Sequence, residues 1–417
     1  MKYFGTDGIR GIYGKGVTED LAHRAGKALG LLFGGKGVIG RDTRTSGPSL
    51  EDALVSGITS VGVDVERVGV LTTPGVSFMT ETLGGSFGVA ISASHNPPEY
   101  NGLKVFSSDG SKISASIEEG IEYYMDNADG SSLCRGKSIN SSGEPYVAEL
   151  KKRFLQFAEK GGLTDRFTGG KILLDSGAGA ASGIAEEVFS SLGASVTTLC
   201  KECRGECINL RCGALHPEKM CAVAKGGYDI GLSFDGDADR MVAWQNGLLD
   251  GDEVMLNLAL AIRPSVVVGT VMTNSALGRQ LEKTGARFLR ASVGDRSVYE
   301  IMRVTGATLG GEPSGHYILG SARTGDGILS GLVLCALRFT NGLQRLALDE
   351  KLLVSVNAPP TVLSDERVAQ AIAYAKRLCS RIVVRPSGTE PVLRVMAEGG
   401  DVTGSVEIIR KAIMNAI

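Results

Sequence analysis

The sequence predicts an α/β protein of four domains, in which three related α/β domains precede a smaller C-terminal α+β domain. Its 417 residues exceed what one hydrophobic core usually organises. A unit of strand, helix and strand recurs three times, and after about residue 345 this recurrence stops. We therefore predict four domains, with the boundaries 1–148, 149–246, 247–346 and 347–417.

Each recurring unit begins with a short apolar strand. These strands are Gly37–Asp42, Lys171–Asp175 and Val266–Thr270. The helix-compatible stretch after each strand ends at a glycine, the usual residue just past a helix, and these glycines are Gly62, Gly193 and Gly285. Because the crossover is long enough for a helix, the two strands of each unit are expected to be parallel.

A third strand in each unit runs into a polar loop. These strands are Phe87–Ile91, Tyr228–Phe234 and Ala307–Leu309. The loops that follow them contain Ser94, Asp235–Arg240 and Gly310–His316. Ligands of open α/β sheets bind beyond the carboxyl ends of the strands. Three domains packed with these ends together would form one composite cleft.

The C-terminal region follows a different pattern. Strands are expected at Arg381–Arg385 and Val392–Met396, on either side of a polar loop. Helices are expected near Asp365–Cys379 and Gly404–Ile417. This mixture predicts the smaller α+β domain.

The composition argues against two classes of partner. The net charge is −2 and no block of lysine or arginine stands apart, so neither a nucleic acid nor a membrane surface is expected as a partner. The N-terminus lacks the apolar core of a signal peptide, and the apolar stretch Met255–Met272 is interrupted by Arg263 and Pro264. We therefore expect a cytoplasmic protein, and small anionic ligands are compatible with its composition.

Five of the eight cysteines crowd into one segment beside His216. They are Cys200, Cys203, Cys207, Cys212 and Cys221. Their spacing fits no paired C-x2-C pattern, which favours free thiols in a reducing compartment. A metal-binding or redox role is the alternative.

Ser94 stands where a small-residue strand meets an imidazole and an amide, just before two prolines. A positioned serine can store a phosphoryl group as an ester if a cation and donors stabilise the transfer. His95 could orient the hydroxyl, and Lys104 could return toward it to neutralise phosphate charge or, with a lowered pKa, to act as an acid. The alternative interpretation is a turn rich in Ser, Asn and Pro.

Three aspartates occupy alternate positions directly after the expected strand Tyr228–Phe234. Asp235, Asp237 and Asp239 can converge on one hard cation that prefers oxygen ligands. A calcium EF-hand loop is excluded, because the glycine and glutamate that it requires are replaced by Arg240 and Asn246. Carboxylates beside an arginine suit Mg²⁺ with a phosphoryl oxygen as a further ligand.

Three other loops combine charge with hydroxyl groups or glycine. Arg10 lies in a glycine-punctuated N-terminal loop that could approach a phosphate. The loop Arg385–Glu390 has the composition of a phosphate-binding nest. Glu312 and Ser314 could reach neighbouring sugar hydroxyls, while His316 is either a proton carrier or a structural residue.

With these motifs in this order, the chain resembles the α-D-phosphohexomutase superfamily along nearly its whole length. The motifs are KYFGTDGIRG, ISASHNP, DGDADR, VGDRSV, GGEPSGH, TGDGILS and RPSGTEPVLRVMAEG. The fold that this resemblance implies, four domains of which three are alike, agrees with the repeat found above.

The resemblance also implies roles for individual residues. Ser94 would be the phosphoserine and would complete one Mg²⁺ site per chain with Asp235, Asp237 and Asp239. Arg10, Lys104 and His95 would lie near the transferred group. The residues expected to bind the substrate are Arg240, Glu312, Ser314, His316, Arg385, Ser387, Gly388, Thr389 and Arg394.

The implied reaction consists of two phosphoryl transfers. The phosphoserine gives its phosphoryl group to the sugar, the bisphosphorylated sugar turns end for end, and the other phosphate returns to Ser94. We expect glucosamine 6-phosphate and glucosamine 1-phosphate as substrates, a hexose bisphosphate as activator, and a monomer or homodimer. The alternatives are mannose or glucose phosphates as substrates, an aspartyl phosphatase that uses Asp235, and a non-catalytic sugar-phosphate sensor.

Overall fold

The computed structural model describes residues 2–5, 7–128, 135–202, 205–387 and 392–417. Within these residues the strands form four sheets, of seven, four, four and three strands. Strands and helices alternate through the first three sheets, and the last sheet is antiparallel. The predicted fold class is confirmed, whereas the domain boundaries stay a prediction.

The first sheet and its helices occupy the N-terminal part of the chain. Its strands are β1 (Phe4–Gly5), β2 (Gly8–Ile12), β3 (Lys36–Arg41), β4 (Asp64–Val70), β5 (Phe87–Ile91), β6 (Tyr100–Ser107) and β7 (Ser138–Asn140). The helices are α1 (Glu19–Phe33), α2 (Gly47–Ser60), α3 (Thr73–Thr82) and α4 (Ala115–Asn127). The strands lie in the order β1-β2-β6-β5-β3-β4-β7.

The second and third sheets follow. The second part of the chain contains α5 (Glu144–Gly161), β8 (Lys171–Asp175), α6 (Ile184–Ser191), β9 (Ser195–Leu199), α7 (Glu218–Ala224), β10 (Ile230–Phe234) and β11 (Met241–Trp244). The third part contains α8 (Gly251–Ile262), β12 (Val266–Thr270), α9 (Ser275–Lys283), β13 (Arg287–Ala291), α10 (Asp295–Thr305), β14 (Leu309–Gly311), β15 (Tyr317–Leu319) and α11 (Gly327–Thr340).

These three sheets share one strand order. It reads β4-β3-β5-β6, β9-β8-β10-β11 and β13-β12-β14-β15, with three parallel strands and a final antiparallel one. The glycines Gly62, Gly193 and Gly285 have φ of 86°, 91° and 84°, a left-handed conformation that glycine adopts without steric cost. The predicted repeat of strand, helix and strand is confirmed, and so are the glycines predicted after its helices.

The third strand of the third unit begins two residues later than the sequence indicated. β14 contains Leu309, Gly310 and Gly311, whereas the apolar pattern had placed the strand at Ala307–Leu309. A Cβ on Gly310 would lie 2.3 Å from the sulfur of Met302, so the side chain of Met302 occupies the space that a side chain at position 310 would need. Such packing is not visible in a one-dimensional pattern of apolar residues.

The C-terminal sheet consists of three antiparallel strands covered by two helices. Its strands are β16 (Lys351–Asn357), β17 (Cys379–Pro386) and β18 (Val392–Gly400), in the order β16-β18-β17. Its helices are α12 (Glu366–Leu378) and α13 (Val402–Met414). The edge strand β16 was not predicted, because the exposed Leu353 interrupts its alternation of apolar and polar residues.

An ion pair within this sheet makes hydrogen bonds to the segment that follows β12. Arg381 pairs with the fully buried Glu398 and donates hydrogen bonds to the carbonyls of Val271 and Thr273, at 2.5 and 2.7 Å. Glu398 Oε1 also accepts a hydrogen bond from the backbone N–H of Ser275 at 2.7 Å. These contacts fix β17 and β18 against the third unit.

The apolar stretch Met255–Met272 is divided between α8 and β12. Arg263, with φ of 50°, follows the end of the helix, and Pro264 cannot continue it. Among the residues that the structure describes, no helix combines the length and the apolar character needed to cross a membrane.

Helices α1 and α2 pack through glycines at their contact. A Cβ on Gly57 would lie 2.0 Å from the carbonyl oxygen of His23, and a Cβ on Gly26 would lie 2.1 Å from that of Leu54. Both helices must therefore lack a side chain where their backbones touch. This contact sets the distance between two helices that cover the first sheet.

We predict that Gly57→Ala lowers the free energy of unfolding by roughly 1–3 kcal/mol, because the new methyl group forces the two backbones apart. The control is Gly120→Ala in α4, where a Cβ meets only Leu32 at 3.7 Å or more. This control should stabilise the protein by roughly 0.5–1 kcal/mol, the ordinary helical preference for alanine. Chemical denaturation measures both values, and equal effects of the two substitutions would contradict this account.

Candidate active site

Ser94 lies in the loop after β5, at the carboxyl end of the strand. Its side chain is fully buried, and its φ of 50° is uncommon for a residue other than glycine. Ser94 Oγ donates a hydrogen bond to Asp235 Oδ2 at 2.6 Å and lies 3.3 Å from His95 Nδ1. The backbone thus holds the hydroxyl against a carboxylate from the loop after β10, which favours a functional site over a simple turn.

A buried arginine that the sequence analysis missed holds this loop in place. Arg44 is fully buried and pairs with Asp42 through a hydrogen bond of 3.0 Å. Its guanidinium also donates to the carbonyls of Ser94, Asn96, Pro97 and Tyr100, at 2.5–3.0 Å. The available signal was the charged run Asp42-Thr43-Arg44 directly after β3, at the carboxyl end of a central strand.

Asn209 contacts the same loop from the other side. Its Nδ2 donates to the carbonyls of Ser94 and Asn96, at 2.8 and 3.0 Å. The carbonyl of Ser94 therefore accepts hydrogen bonds from Arg44, which follows β3, and from Asn209, which lies between β9 and α7. Nothing in the sequence pattern had singled out Asn209.

The three aspartates after β10 form a buried cluster. One carboxylate oxygen from each of Asp235, Asp237 and Asp239 lies within 4.8 Å of the other two. Burial first, and then the two neighbouring carboxylates, raise the pKa of Asp235 well above its usual range. The buried oxygens Asp237 Oδ1 and Asp239 Oδ1 have no hydrogen-bond partner among the described residues. Converging carboxylates with unsatisfied oxygens can hold a hard divalent cation.

Lys104 on β6 reaches into this cluster. Its Nζ lies 2.7 Å from both Asp237 Oδ2 and Asp239 Oδ2. Burial disfavours the charged form, but Asp237, Asp239 and Asp7 outweigh it and raise the pKa of Lys104. Lys104 is therefore a fixed cation here, and the lowered pKa that an acid role required does not occur.

Arg10 and Lys112 meet at Asp7, beside Lys104. Both cations pair with Asp7, whose Oδ2 is 3.5 Å from Lys104 Nζ. The Nε of Arg10 is buried without a hydrogen-bond partner among the described residues. The expected N-terminal loop is a hairpin of β1 and β2, and Arg10 lies on β2, because Gly8–Ile12 pairs with β6. Arg10 brings a cation to the site and keeps a donor for a further anion.

His316 and His95 have opposite electrostatic environments. His316 lies between Asp295, at 3.2 Å from its Nε2, and Asp239, at 3.8 Å from its Nδ1. Although burial opposes the charge, these carboxylates raise the pKa of His316 to about 10. Burial, then Arg240 and Arg10, lower the pKa of His95 to about 4. His316 Nε2 also accepts a hydrogen bond from the backbone N–H of Gly325 at 2.8 Å, so His316 is a structural partner that joins this loop to the two carboxylates. At neutral pH His95 is a neutral group beside Ser94 Oγ.

The loop after β14 places Glu312 and Ser314 differently. Glu312 is half-buried, and its Oε1 accepts a hydrogen bond from the backbone N–H of Gly294 at 3.0 Å. Ser314 is exposed. Burial lowers the pKa of Arg240, but Asp239, Asp235 and then Glu312 outweigh it and raise that pKa. Glu312 and Arg240 therefore act on each other electrostatically, although they follow strands of different sheets.

Two arginines face each other in the C-terminal sheet. Arg385 and Arg394 are direct partners in the antiparallel pairing of β17 with β18. Burial and then Arg394 lower the pKa of Arg385, and Glu312 opposes them. Like charges opposite each other destabilise a sheet unless an anion lies near them. Ser387 follows β17, whereas Gly388 and Thr389 lie outside the described residues.

The site therefore joins three sheets. The loop after β5 supplies Ser94, the loop after β10 supplies the aspartates, and the loop after β14 supplies His316, which contacts Asp239. The expectation of one composite cleft at equivalent strand ends agrees with these contacts. Buried cations beside buried carboxylates at a serine suit the transfer of an anionic group.

The chain matches the phosphoglucomutase/phosphomannomutase family domain by domain. The matches are alpha/beta/alpha domain I over residues 1–131, domain II over 144–247, domain III over 250–349, and the C-terminal domain over 350–415. The phosphoglucosamine mutase of Thermotoga neapolitana is 42% identical, and the match covers 96% of this chain and 96% of that protein.

Solved structures share the fold. A phosphoglucomutase/phosphomannomutase family protein from Burkholderia thailandensis has a TM-score of 0.81 at 24% identity, covering 99% of this chain and 97% of that one. The N-acetylphosphoglucosamine mutase of Aspergillus fumigatus, in complex with GlcNAc-6P and magnesium, has a TM-score of 0.69 at 17% identity, covering 99% and 96%. Together, the domain matches and the identity over nearly the full length show that this chain belongs to the phosphoglucomutase/phosphomannomutase family, the α-D-phosphohexomutases.

Proposed function

We propose that this protein is a phosphoglucosamine mutase, which interconverts glucosamine 6-phosphate and glucosamine 1-phosphate through a phosphoserine at Ser94. The observation that carries the proposal is the contact of 2.6 Å between Ser94 Oγ and Asp235, inside a cluster of buried aspartates. The amino sugar is inferred from the 42% identical relative, which is named for it.

The aspartate cluster fits Mg²⁺. Asp235, Asp237 and Asp239 would hold the ion together with an oxygen at Ser94, and the ion would neutralise charge on the phosphoryl group. The unpartnered oxygens of Asp237 and Asp239 support this assignment. The structure has a buried acidic site that can bind a metal ion, and we propose that it binds one Mg²⁺ per chain.

The other residues near Ser94 position the phosphoryl group and exclude water. Lys104 and Arg10 supply fixed positive charge beside the position of the transferred group. His95 Nδ1, uncharged at neutral pH, can orient the hydroxyl of Ser94 through their contact of 3.3 Å. Because Ser94 is fully buried, the phosphoserine is protected from hydrolysis between turnovers.

The remaining residues would bind the substrate away from the reacting phosphate. Glu312, Ser314 and Arg240 would contact the sugar, with His316 positioning the loop through its two carboxylates. The residues proposed for the second phosphate are Arg385, Ser387, Gly388, Thr389 and Arg394. Arg385 and Arg394 occupy facing positions of β17 and β18, and two guanidinium groups so placed could bind a phosphate.

Each transfer exchanges one P–O bond for another. The bond between Ser94 Oγ and phosphorus breaks as a sugar hydroxyl oxygen bonds to phosphorus, and the proton of that hydroxyl ends on Ser94 Oγ. The second transfer reverses these changes at the other end of the sugar. A hexose bisphosphate activator would phosphorylate Ser94 at the outset and after any loss of the intermediate. A monomer or a homodimer stays the predicted oligomeric state.

We predict that Ser94→Ala lowers kcat for the conversion of glucosamine 6-phosphate by roughly 10³-fold or more, because no other described hydroxyl contacts Asp235 Oδ2. The exposed Ser195→Ala should leave kcat unchanged. In the wild type, kcat/KM should be higher for the amino sugar than for glucose 1-phosphate and mannose 1-phosphate. A preference for the neutral sugars would contradict the substrate assignment alone, whereas full activity of Ser94→Ala would contradict the mechanism.

Asp237→Asn should weaken Mg²⁺ binding at least about 100-fold, because it removes a charged ligand oxygen from the buried cluster. Titration calorimetry of the metal-free protein with Mg²⁺ measures the affinity directly. The control is Asp252→Asn, which changes another buried carboxylate, one that accepts a hydrogen bond from the backbone N–H of Asn274 at 2.7 Å. Equal Mg²⁺ affinities for the two variants would exclude the aspartate cluster as the metal site.

Arg44→Lys tests a positioning residue that is buried away from the substrate. A lysine ammonium cannot replace the guanidinium at Asp42 and four carbonyls, so the free energy of unfolding should fall by roughly 2–4 kcal/mol. We also expect kcat to fall at least about tenfold with KM nearly unchanged, because the serine shifts while the substrate loops do not. Arg67→Lys, at a more exposed pair with Asp52, should change neither value. A rise in KM alone would show that Arg44 acts on substrate binding.

A further inference from the structure

A second cluster of reactive side chains lies outside the proposed active site. The thiol sulfurs of Cys200 and Cys212 and a carboxylate oxygen of Asp175 all lie within 4.8 Å of one another. Asp175 ends β8, and Cys200 directly follows the parallel neighbour β9. Cys212 is buried, Cys200 is half-buried, and both are free thiols. The crowded cysteine segment of the sequence therefore brings two of its thiols together.

The two thiols differ in their surroundings. The Nζ of Lys219 lies 3.7 Å from the sulfur of Cys200. A hydrogen bond from Cys212 lowers the pKa of Cys200; burial and the Asp175 carboxylate oppose this effect, and Lys219 adds to it. The hydrogen bond to Cys200 and burial raise the pKa of Cys212. An accessible thiol beside a cation, next to a second thiol, is the arrangement of cysteines that oxidise reversibly.

A metal ion fits this cluster less well. Asp175 Oδ1 accepts a hydrogen bond from the backbone N–H of Gly177 at 3.0 Å, and Oδ2 accepts one from Gly213 at 2.9 Å. The ammonium of Lys219 would also repel a cation bound at Cys200. Of the roles that the sequence left open for these cysteines, these contacts favour redox chemistry.

The segment that carries Cys212 also contacts the Ser94 loop. Asn209, three residues before Cys212, donates to the carbonyls of Ser94 and Asn96. On the other side of Cys212, the backbone N–H of Gly213 is held by Asp175. A movement of Cys212 toward Cys200 would therefore act on a short segment that is anchored at the active-site loop.

We propose that Cys200 and Cys212 form a reversible disulfide when the protein meets a peroxide, and that its closure slows phosphoryl transfer by displacing Asn209 from the Ser94 loop. The sulfurs, now within 4.8 Å of each other, must approach to about 2 Å, and in this proposal the segment between Asn209 and Gly213 moves with Cys212. The effect on turnover rests on the proposed mutase function, whereas the disulfide itself does not.

The oxidation balances with hydrogen peroxide as the oxidant. The thiolate of Cys200 attacks one peroxide oxygen, the O–O bond breaks, and a sulfenic acid and hydroxide form. The sulfur of Cys212 then attacks the sulfur of Cys200, the S–O bond breaks, and the S–S bond forms as the proton of Cys212 leaves with the oxygen as water. Two thiols lose two electrons in total, and peroxide becomes two waters.

The test treats the reduced full-length protein with hydrogen peroxide, blocks the remaining thiols and maps disulfides by mass spectrometry of peptides. We expect a Cys200–Cys212 link in the wild type, a fall in kcat of about tenfold or more, and recovery with dithiothreitol. Cys212→Ser should keep its basal activity and lose the reversible inhibition. The matched control Cys221→Ser, a free cysteine on α7, should behave like the wild type.

Hydrogen exchange of the peptide that contains residues 92–99 gives a readout independent of turnover. It should rise on oxidation of the wild type and not of Cys212→Ser, because the Ser94 loop loses a donor. Absence of the mapped link, or equal inhibition of Cys212→Ser, would overturn the proposal. A mapped link without faster exchange in this peptide would overturn the coupling. If the reduced enzyme has no mutase activity, the proposed mutase function is contradicted instead. Peptide mapping would then still show whether the disulfide forms, and hydrogen exchange would show whether it affects the Ser94 loop.

Discussion

The hydrogen bond between Ser94 and Asp235 is the contact on which the rest of the site depends. It joins residues 141 positions apart, in loops after equivalent strands of two different sheets. Both groups are fully buried, so the surrounding protein must hold an ionisable cluster without water. Lys104 from β6 and Arg10 from β2 supply positive charge beside the aspartates. A buried acidic cluster of this kind is stable only with compensating cations.

A second layer of residues keeps the serine loop rigid. Arg44 and Asn209, in connecting segments of the first and second parts of the chain, donate to the same carbonyl of Ser94, and Ser92 links the loop to Asp42. Ser94 itself has a left-handed backbone that this network maintains. Because Asn209 also belongs to the cysteine segment, this network connects the Ser94 loop with the thiols of Cys200 and Cys212. Positioning and regulation can thus share one set of hydrogen bonds.

The repeated architecture was predictable from the sequence because its signals are local. Apolar runs and the glycines Gly62, Gly193 and Gly285 mark strands and helix ends without tertiary information. The aspartates and Ser94 were found because their motifs are short and contiguous. Arg44 was missed although it directly follows β3, because its neighbours in sequence do not show that it would be buried against the Ser94 loop. Asn209 was missed because nothing in its sequence context marks a buried hydrogen-bond donor. The pKa values of His316 and Lys104 depend on carboxylates from other loops, which only the packed structure brings together.

The central claim is that Ser94, rather than Asp235, carries the phosphoryl group. The most direct test is to label the protein with radioactive glucose 1,6-bisphosphate, isolate the phosphopeptide, and chase the label with unlabelled glucosamine 6-phosphate in a single turnover. The account predicts acid-stable phosphate on Ser94 that passes to the sugar without release of inorganic phosphate. Acid-labile phosphate on Asp235, or label released as inorganic phosphate, would contradict it.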